Sequence, residues 1–156
     1  MGNYNFHKDL AVAKKSETKA IKILINMFPK KDLRFVEFCT NGDFDIRLRG
    51  EDGDILCEVK EDFMCEKTGN VCLEFASRGK DSGIVSTKAE YYLYKIHTPS
   101  NGIMYVKHTV RELRRKVDNV EYFRIVNGGD RGSNTMSYLF KLDAFIIGKN
   151  VCIYLE

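Results

Sequence analysis

An α/β fold with a mixed central sheet flanked by helices is the class this sequence predicts, on three observations. Short runs with alternating apolar residues recur along the chain, and a stripe of apolar residues at helical spacing precedes them. Between two of the runs, Gly50-Glu51-Asp52-Gly53 reads as a tight turn, which makes those runs an antiparallel hairpin. The interleaving of helical and strand patterns then favours a layered α/β core over an all-β or all-α one.

The first element is a helix from about His7 to Phe28. Leu10, Ala13, Ala20, Leu24 and Met27 fall three or four apart, Ile21 and Phe28 widen the stripe, and Pro29 ends it. Glu17 sits on that stripe, where the pattern calls for an apolar residue. Taken alone it reads as a half-buried glutamate paired with a lysine. Strands follow around Arg34–Cys39, Phe44–Leu48 and Ile55–Lys60, then a polar connection over Glu61–Asn70 and a strand around Val71–Phe75. Arg78–Gly83 is a loop, and Thr87-x-x-Glu90 has capping-box spacing, which starts a helix over about Lys88–Ile96. A strand near Ile103–Val106 precedes a short helix near Val110–Val117. Weaker strands near Tyr122–Val126, Tyr138–Leu142 and Val151–Leu155 complete the chain. The glycine-rich stretch 127–134 is its longest loop and lacks the G-K-[S/T] of a phosphate loop.

Chemistry concentrates in the hairpin. Asp45 lies in Phe44-Asp45-Ile46-Arg47-Leu48-Arg49, and Ile55-Leu56-Cys57-Glu58-Val59-Lys60 forms the returning strand. A turn centred between Glu51 and Asp52 sets Asp45 opposite Glu58. A centre one residue later sets it opposite Lys60. Side-chain period two keeps Glu58 and Lys60 on one face either way. Two carboxylates and an ammonium at the end of a sheet-core hairpin are expensive unless a cation or a reaction needs them.

This Asp45 … Glu58-Val59-Lys60 arrangement resembles the PD-(D/E)XK nuclease superfamily, with Phe44-Asp45 in place of Pro-Asp. The pattern continues in Thr68-Gly69-Asn70 and Glu74, then Ser82-Gly83 and Thr87-Lys88-Ala89 with Tyr91-Tyr92. It is similar to a group of small phage- and microbe-encoded members with a T-G-N-x-x-x-E segment after the E-x-K strand, over roughly residues 17–95. The resemblance implies a restriction-endonuclease-like core in one domain, residues 1–156, and metal-dependent hydrolysis of DNA phosphodiester bonds. It implies that Asp45 and Glu58 bind Mg²⁺ or Mn²⁺, with the Val59 carbonyl a further ligand, and that Lys60 assists the attacking water. Glu17 matches in type and chain order a glutamate that members carry on the first helix, facing the metal. Hard oxygen ligands without cysteine or histidine suit magnesium or manganese.

Downstream, Lys88 falls at the first position of the expected helix, where a cation opposes the helix dipole unless it serves an anion. It is either a solvated lysine or, with Arg78, Lys80 and free backbone N–H groups, a phosphate site that positions the nucleic-acid backbone. Glu74, on the opposite side of its strand from Val71, Leu73 and Phe75, is either an extra ligand or a partner of Lys60 or Arg78. Asp43 reads as a turn residue, the histidines at 7, 97 and 108 as surface or packing residues, and Arg111, Arg114, Arg115 and Lys116 as a solvated helix face.

Composition bounds the rest. A chain of 156 residues with 44% apolar content makes a single domain with one core, and its net charge of +3 excludes no partner. Five cysteines without a C-x-x-C pair read as small buried hydrophobes in a reducing, cytoplasmic setting, and they argue against zinc or iron–sulfur binding. No membrane span or signal pattern is visible. The expected partner is nucleic acid, DNA ahead of RNA, and a homodimer is compatible with the sequence. A non-cleaving nucleic-acid-binding or assembly protein and an RNA endonuclease are the rival readings.

Overall fold

Alternation along the chain builds two sheets. The computed structural model describes residues 17–29, 32–39, 41–129 and 132–156. Strands β1 (Arg34–Phe38), β2 (Ile46–Gly50) and β3 (Gly53–Asp62) form an antiparallel meander. β6 (Tyr91–His97) lies parallel to β3, and β7 (Ile103–Thr109) and β10 (Cys152–Leu155) complete a six-stranded mixed sheet in the order β1-β2-β3-β6-β7-β10. β4 (Asn70–Ser77), β5 (Lys80–Asp81), β8 (Arg124–Gly128) and β9 (Thr135–Lys141) make a second, antiparallel sheet in the order β5-β4-β9-β8.

The helices are few. Residues 17–26 are helical (α1), and α2 (Cys65–Thr68), α3 (Val110–Asp118) and α4 (Leu142–Phe145) are shorter. The part of the expected first helix before residue 17, with Leu10 and Ala13, lies outside the described residues. Ala20, Ile21, Ile23 and Leu24 of α1 pack on Ile46, Leu48, Cys57, Leu93 and Tyr105, covering one face of the large sheet. Helix α1 thus covers that face. The other face is closed by the second sheet together with α3 and α4, around Val71, Leu73, Tyr94, Val106, Leu113, Phe140 and Phe145.

The expected helix over Lys88–Ile96 is strand β6 instead. Glu90 already donates its N–H to the Leu56 carbonyl and accepts from the Val110 N–H, so the chain is entering the sheet where a helix would have been turning. A central strand beside a parallel partner is buried on both faces. Tyr91, Tyr92, Leu93, Tyr94 and Ile96 supply the aromatic and β-branched bulk such a strand requires. The capping box that does start a helix is Thr109-x-x-Glu112, where the Thr109 hydroxyl accepts from the Glu112 N–H at 3.0 Å.

Two buried cations tie helix ends to this frame. Lys107, on β7, donates to the Met27 carbonyl at 2.7 Å and lies 3.9 Å from the centre of the Phe28 ring, which anchors the chain where α1 runs out. Lys116, fully buried on α3, donates to the Ala144 carbonyl at 2.7 Å and pairs with Glu121 at 3.3 Å. His108 is a further buried polar group, whose two ring nitrogens have no hydrogen-bond partner and whose ring meets Phe145 edge-on at 4.6 Å.

Burial, reinforced by the nearby Lys116 charge, pushes the His108 pKa down to about 3 against the opposing pull of Glu112. The folded protein thus keeps this ring neutral while the unfolded chain takes up a proton below about pH 6.5. Stability attributable to His108 should fall as pH drops from about 6.5 towards 3, by at most ~5 kcal/mol. Urea titrations of the wild type and His108→Leu at pH 7.5 and pH 4.5 check this. The difference in stability between the two proteins should shift in favour of the variant at the lower pH.

Candidate active site

The register of the hairpin decides which groups meet. Ile46 faces Cys57 and Gly50 faces Gly53, which centres the turn between Glu51 and Asp52 and sets Asp45 opposite Glu58. β2 stops at Ile46 while β3 runs on to Asp62, so the edge of β3 beyond Glu58 has no strand partner on that side. Asp45 fills the gap. Its Oδ2 accepts from the Val59 N–H at 2.7 Å, in place of the missing ladder bond. In an extended strand a residue's N–H and C=O leave towards the same neighbour, so the Val59 carbonyl also faces the Asp45 end of β2.

Cys57 and Val59 point towards α1, so Glu58 and Lys60 project from the opposite face of the sheet, towards the second sheet. Glu58 is only 8% exposed. Its Oε1 accepts from the Thr87 hydroxyl at 3.1 Å, and its Oε2 lies 4.0 Å from the Lys60 ammonium, whose side chain is 40% exposed. Burial raises the Glu58 pKa to about 7. The hydrogen-bonding reach and charge of Asp45 add to the rise, and Lys60 and Thr87 only partly oppose it. The two carboxylates are thus close enough to share either a proton or a cation.

Thr87 is a site residue that sequence reasoning misassigned. Its hydroxyl accepts from the Ala89 N–H and donates to Glu58, so it orients a carboxylate and caps no helix. The threonine spacing that suggests an N-cap serves equally for a short turn bond two residues on. Arg114 of α3 holds the same loop, its Nε donating to the Ile84 carbonyl at 3.1 Å.

The other expected site residues are dispersed. Glu17 is aligned with Ala20, Ile21 and Leu24 but is exposed, and its helix lies on the sheet face opposite the one from which Glu58 projects. Its expected place beside the carboxylate pair is therefore corrected. Lys88 is exposed and paired with Asp43 at 3.3 Å. With β6 a strand, no helix N-terminus exists there to form the expected phosphate site. Arg78 and Lys80 are exposed around the β4–β5 turn, where Arg78 has φ +55°. The basic cluster on α3 is not a uniformly solvated face either: besides Lys116 and Arg114, Arg115 pairs with Glu112 and Glu121. All five cysteines are free thiols, with Cys57 and Cys65 buried.

Among the described residues no group of three or more His, Cys, Asp or Glu side chains is arranged to hold a metal ion. The Asp45–Glu58 pair on its own still suits a hard divalent cation of the magnesium class, which commonly takes one or two protein carboxylates and completes its shell with water and phosphate oxygens. The carboxyl pair where the β2–β3 ladder ends, with Glu58 nearly buried, is the feature that fits.

A raised folded-state pKa has a definite sign in stability. The contribution of Glu58 is fully present below about pH 4.5 and is lost as pH rises through about 7, where a second buried negative charge must form beside Asp45. The melting temperature should therefore gain more from millimolar Mg²⁺ or Mn²⁺ at pH 8 than at pH 5.5. In Glu58→Gln both the pH-dependent loss and the cation-dependent gain should disappear. Equal cation gains in the variant and the wild type would place the ion elsewhere.

No protein-family model, no curated protein and no solved structure matches this chain, so its function has to be argued from its own residues.

Proposed function

We propose that the protein is a divalent-metal-dependent nuclease that hydrolyses phosphodiester bonds, with DNA as the preferred substrate, on a restriction-endonuclease-like core. The observation that carries this reading is the pairing of Asp45 with Glu58 across the hairpin, with Lys60 on the same face one pleat further on. Three charged groups are gathered at the frayed end of a two-stranded ladder, where apolar residues would be cheaper. Their types and spacing are those of the E-x-K signature.

Each residue then has a part its geometry supports. Asp45 and Glu58 would hold the cation, and when bound it would supply Lewis-acid polarisation of the phosphate and a more acidic water. Asp45 is held to the task by the Val59 N–H, and Glu58 by the Thr87 hydroxyl. Lys60, close to Glu58 yet partly open to solvent, directs its ammonium at the charge that develops on the phosphate oxygens. The frayed edge of β3 and the loop at Thr87 frame the approach to these groups. Among the described residues no helix is long and apolar enough to cross a membrane.

Incubation with plasmid, branched, single-stranded DNA and RNA, in Mg²⁺, Mn²⁺ or EDTA, tests the reading. Cleavage of DNA should require the divalent ion. Asp45→Asn keeps an acceptor for the Val59 N–H and should preserve the fold while removing cleavage, and Glu58→Gln should do the same. Lys60→Met should lower turnover by about 10²–10³-fold, with calorimetric cation affinity equal to or above that of the wild type. Robust cleavage in EDTA would refute the metal-dependent mechanism, and cleavage confined to RNA would reassign the substrate.

A further inference from the structure

Between the two sheets, next to Lys60, lies a cavity of about 190 Å³. β3 contributes Lys60 and Asp62 to its walls, β6 contributes Tyr92, and the second sheet contributes Glu74 from β4 and Ser137 from β9. Gly83 closes one side. It has φ +51°, and a Cβ there would stand 2.1 Å from the Glu74 carbonyl oxygen, so only glycine lets the 82–84 turn settle on β4 at that point. The Ile84 N–H then donates to that same carbonyl at 2.9 Å, fixing the backbone of Glu74.

Most acids near the cavity are already committed. Asp62 accepts from the N–H groups of Cys65 at 2.9 Å and Cys72 at 3.2 Å. Glu61 is paired with His97 at 2.7 Å and Lys95 at 3.6 Å. Among the described residues the Glu74 carboxylate takes part in no hydrogen bond or ion pair. Tyr92, only 1% exposed, lines the same cavity, and its hydroxyl is buried with no hydrogen bond in the structure. A buried donor and a free acceptor that share a polar cavity with an ammonium call for a small polar occupant. The acids in the wall disfavour an anion, so the occupant that fits is water.

We infer that this cavity holds the attacking water and that Glu74 is its general base, an inference that rests on the nuclease reading above. Tyr92 directs the water oxygen while Lys60 stays on the phosphate, and Glu74 removes the water's proton. The oxygen forms a bond to phosphorus, and the proton passes to the Glu74 carboxylate. The bond from phosphorus to the departing sugar oxygen breaks with its electron pair, and that oxygen takes a proton from solvent. Glu74 then returns its proton to solvent. Glu74 acts on the water from the cavity wall it shares with Lys60.

Steady-state cleavage of a labelled DNA duplex, with calorimetry of Mn²⁺ and Ca²⁺-supported duplex binding, tests the inference on the full chain. Glu74→Gln should lower kcat by about 10²–10³-fold. Cation and duplex affinities should stay within about twofold of the wild type, and Glu74→Asp should recover part of the loss. Tyr92→Phe should lower kcat by about tenfold without lowering the melting temperature, since it removes a hydroxyl that has no partner. Normal turnover of Glu74→Gln beside an active wild type would overturn this inference alone, as would loss of cation binding in that variant. A wild type that cleaves nothing in any metal would overturn both readings.

Discussion

Everything in this molecule depends on laying β6 parallel to β3. Antiparallel neighbours can be joined by a two-residue turn, as β2 and β3 are, but a parallel partner obliges the chain to leave the sheet and return to the same end. Residues 63–90 make that journey, and they bring β4 and β5 of the second sheet with them. On the way back the chain passes Ser82–Thr87, which delivers the Thr87 hydroxyl to Glu58 before β6 begins. The crossover is therefore both the connection and one wall of the candidate site.

The interior tolerates polar groups where each has a specific job. Lys107 and Lys116 are each satisfied by a backbone carbonyl at the end of a helix, so burying them fixes the chain at two points where it changes direction. Glu58 and Tyr92 differ from them. Their polar atoms are held at the junction of the two sheets with acceptor or donor capacity left over. Incomplete satisfaction of this kind is costly to fold, and it marks where a ligand's contacts complete the structure.

Much of this was legible in the amino-acid order, and the exceptions have physical causes. The hairpin and the shared face of Glu58 and Lys60 came from the Gly50–Gly53 turn and period two. Two registers that differ by two residues keep the same faces, so only the ladder shows that Asp45 meets Glu58 and not Lys60. Glu74's departure from the apolar face of β4 was equally visible. The strand β6 was hidden because Thr87-x-x-Glu90 and Thr109-x-x-Glu112 present the same spacing. The residues just after each box separate the two: Leu113-Arg114-Arg115-Lys116 favours a helix, whereas Tyr91-Tyr92-Leu93-Tyr94 favours a buried strand. The division of strands between two sheets could not be read at all, since alternation reports a face and not the partner across it. Glu17 misled for a related reason. A helical stripe says which residues align, but not where the sheet beneath them ends.

The two outer strands of the large sheet, β1 and β10, leave the molecule with two unlike margins. β1 carries a register shift between Phe35 and Glu37 and charged Arg34 and Glu37 along its length, devices that spoil strand-to-strand docking. β10 is regular against β7 and shows Ile153, Tyr154 and Leu155 to solvent. A sheet guarded at one margin and open at the other cannot propagate head to tail, because that growth needs both margins. A further strand can therefore join this sheet only along β10.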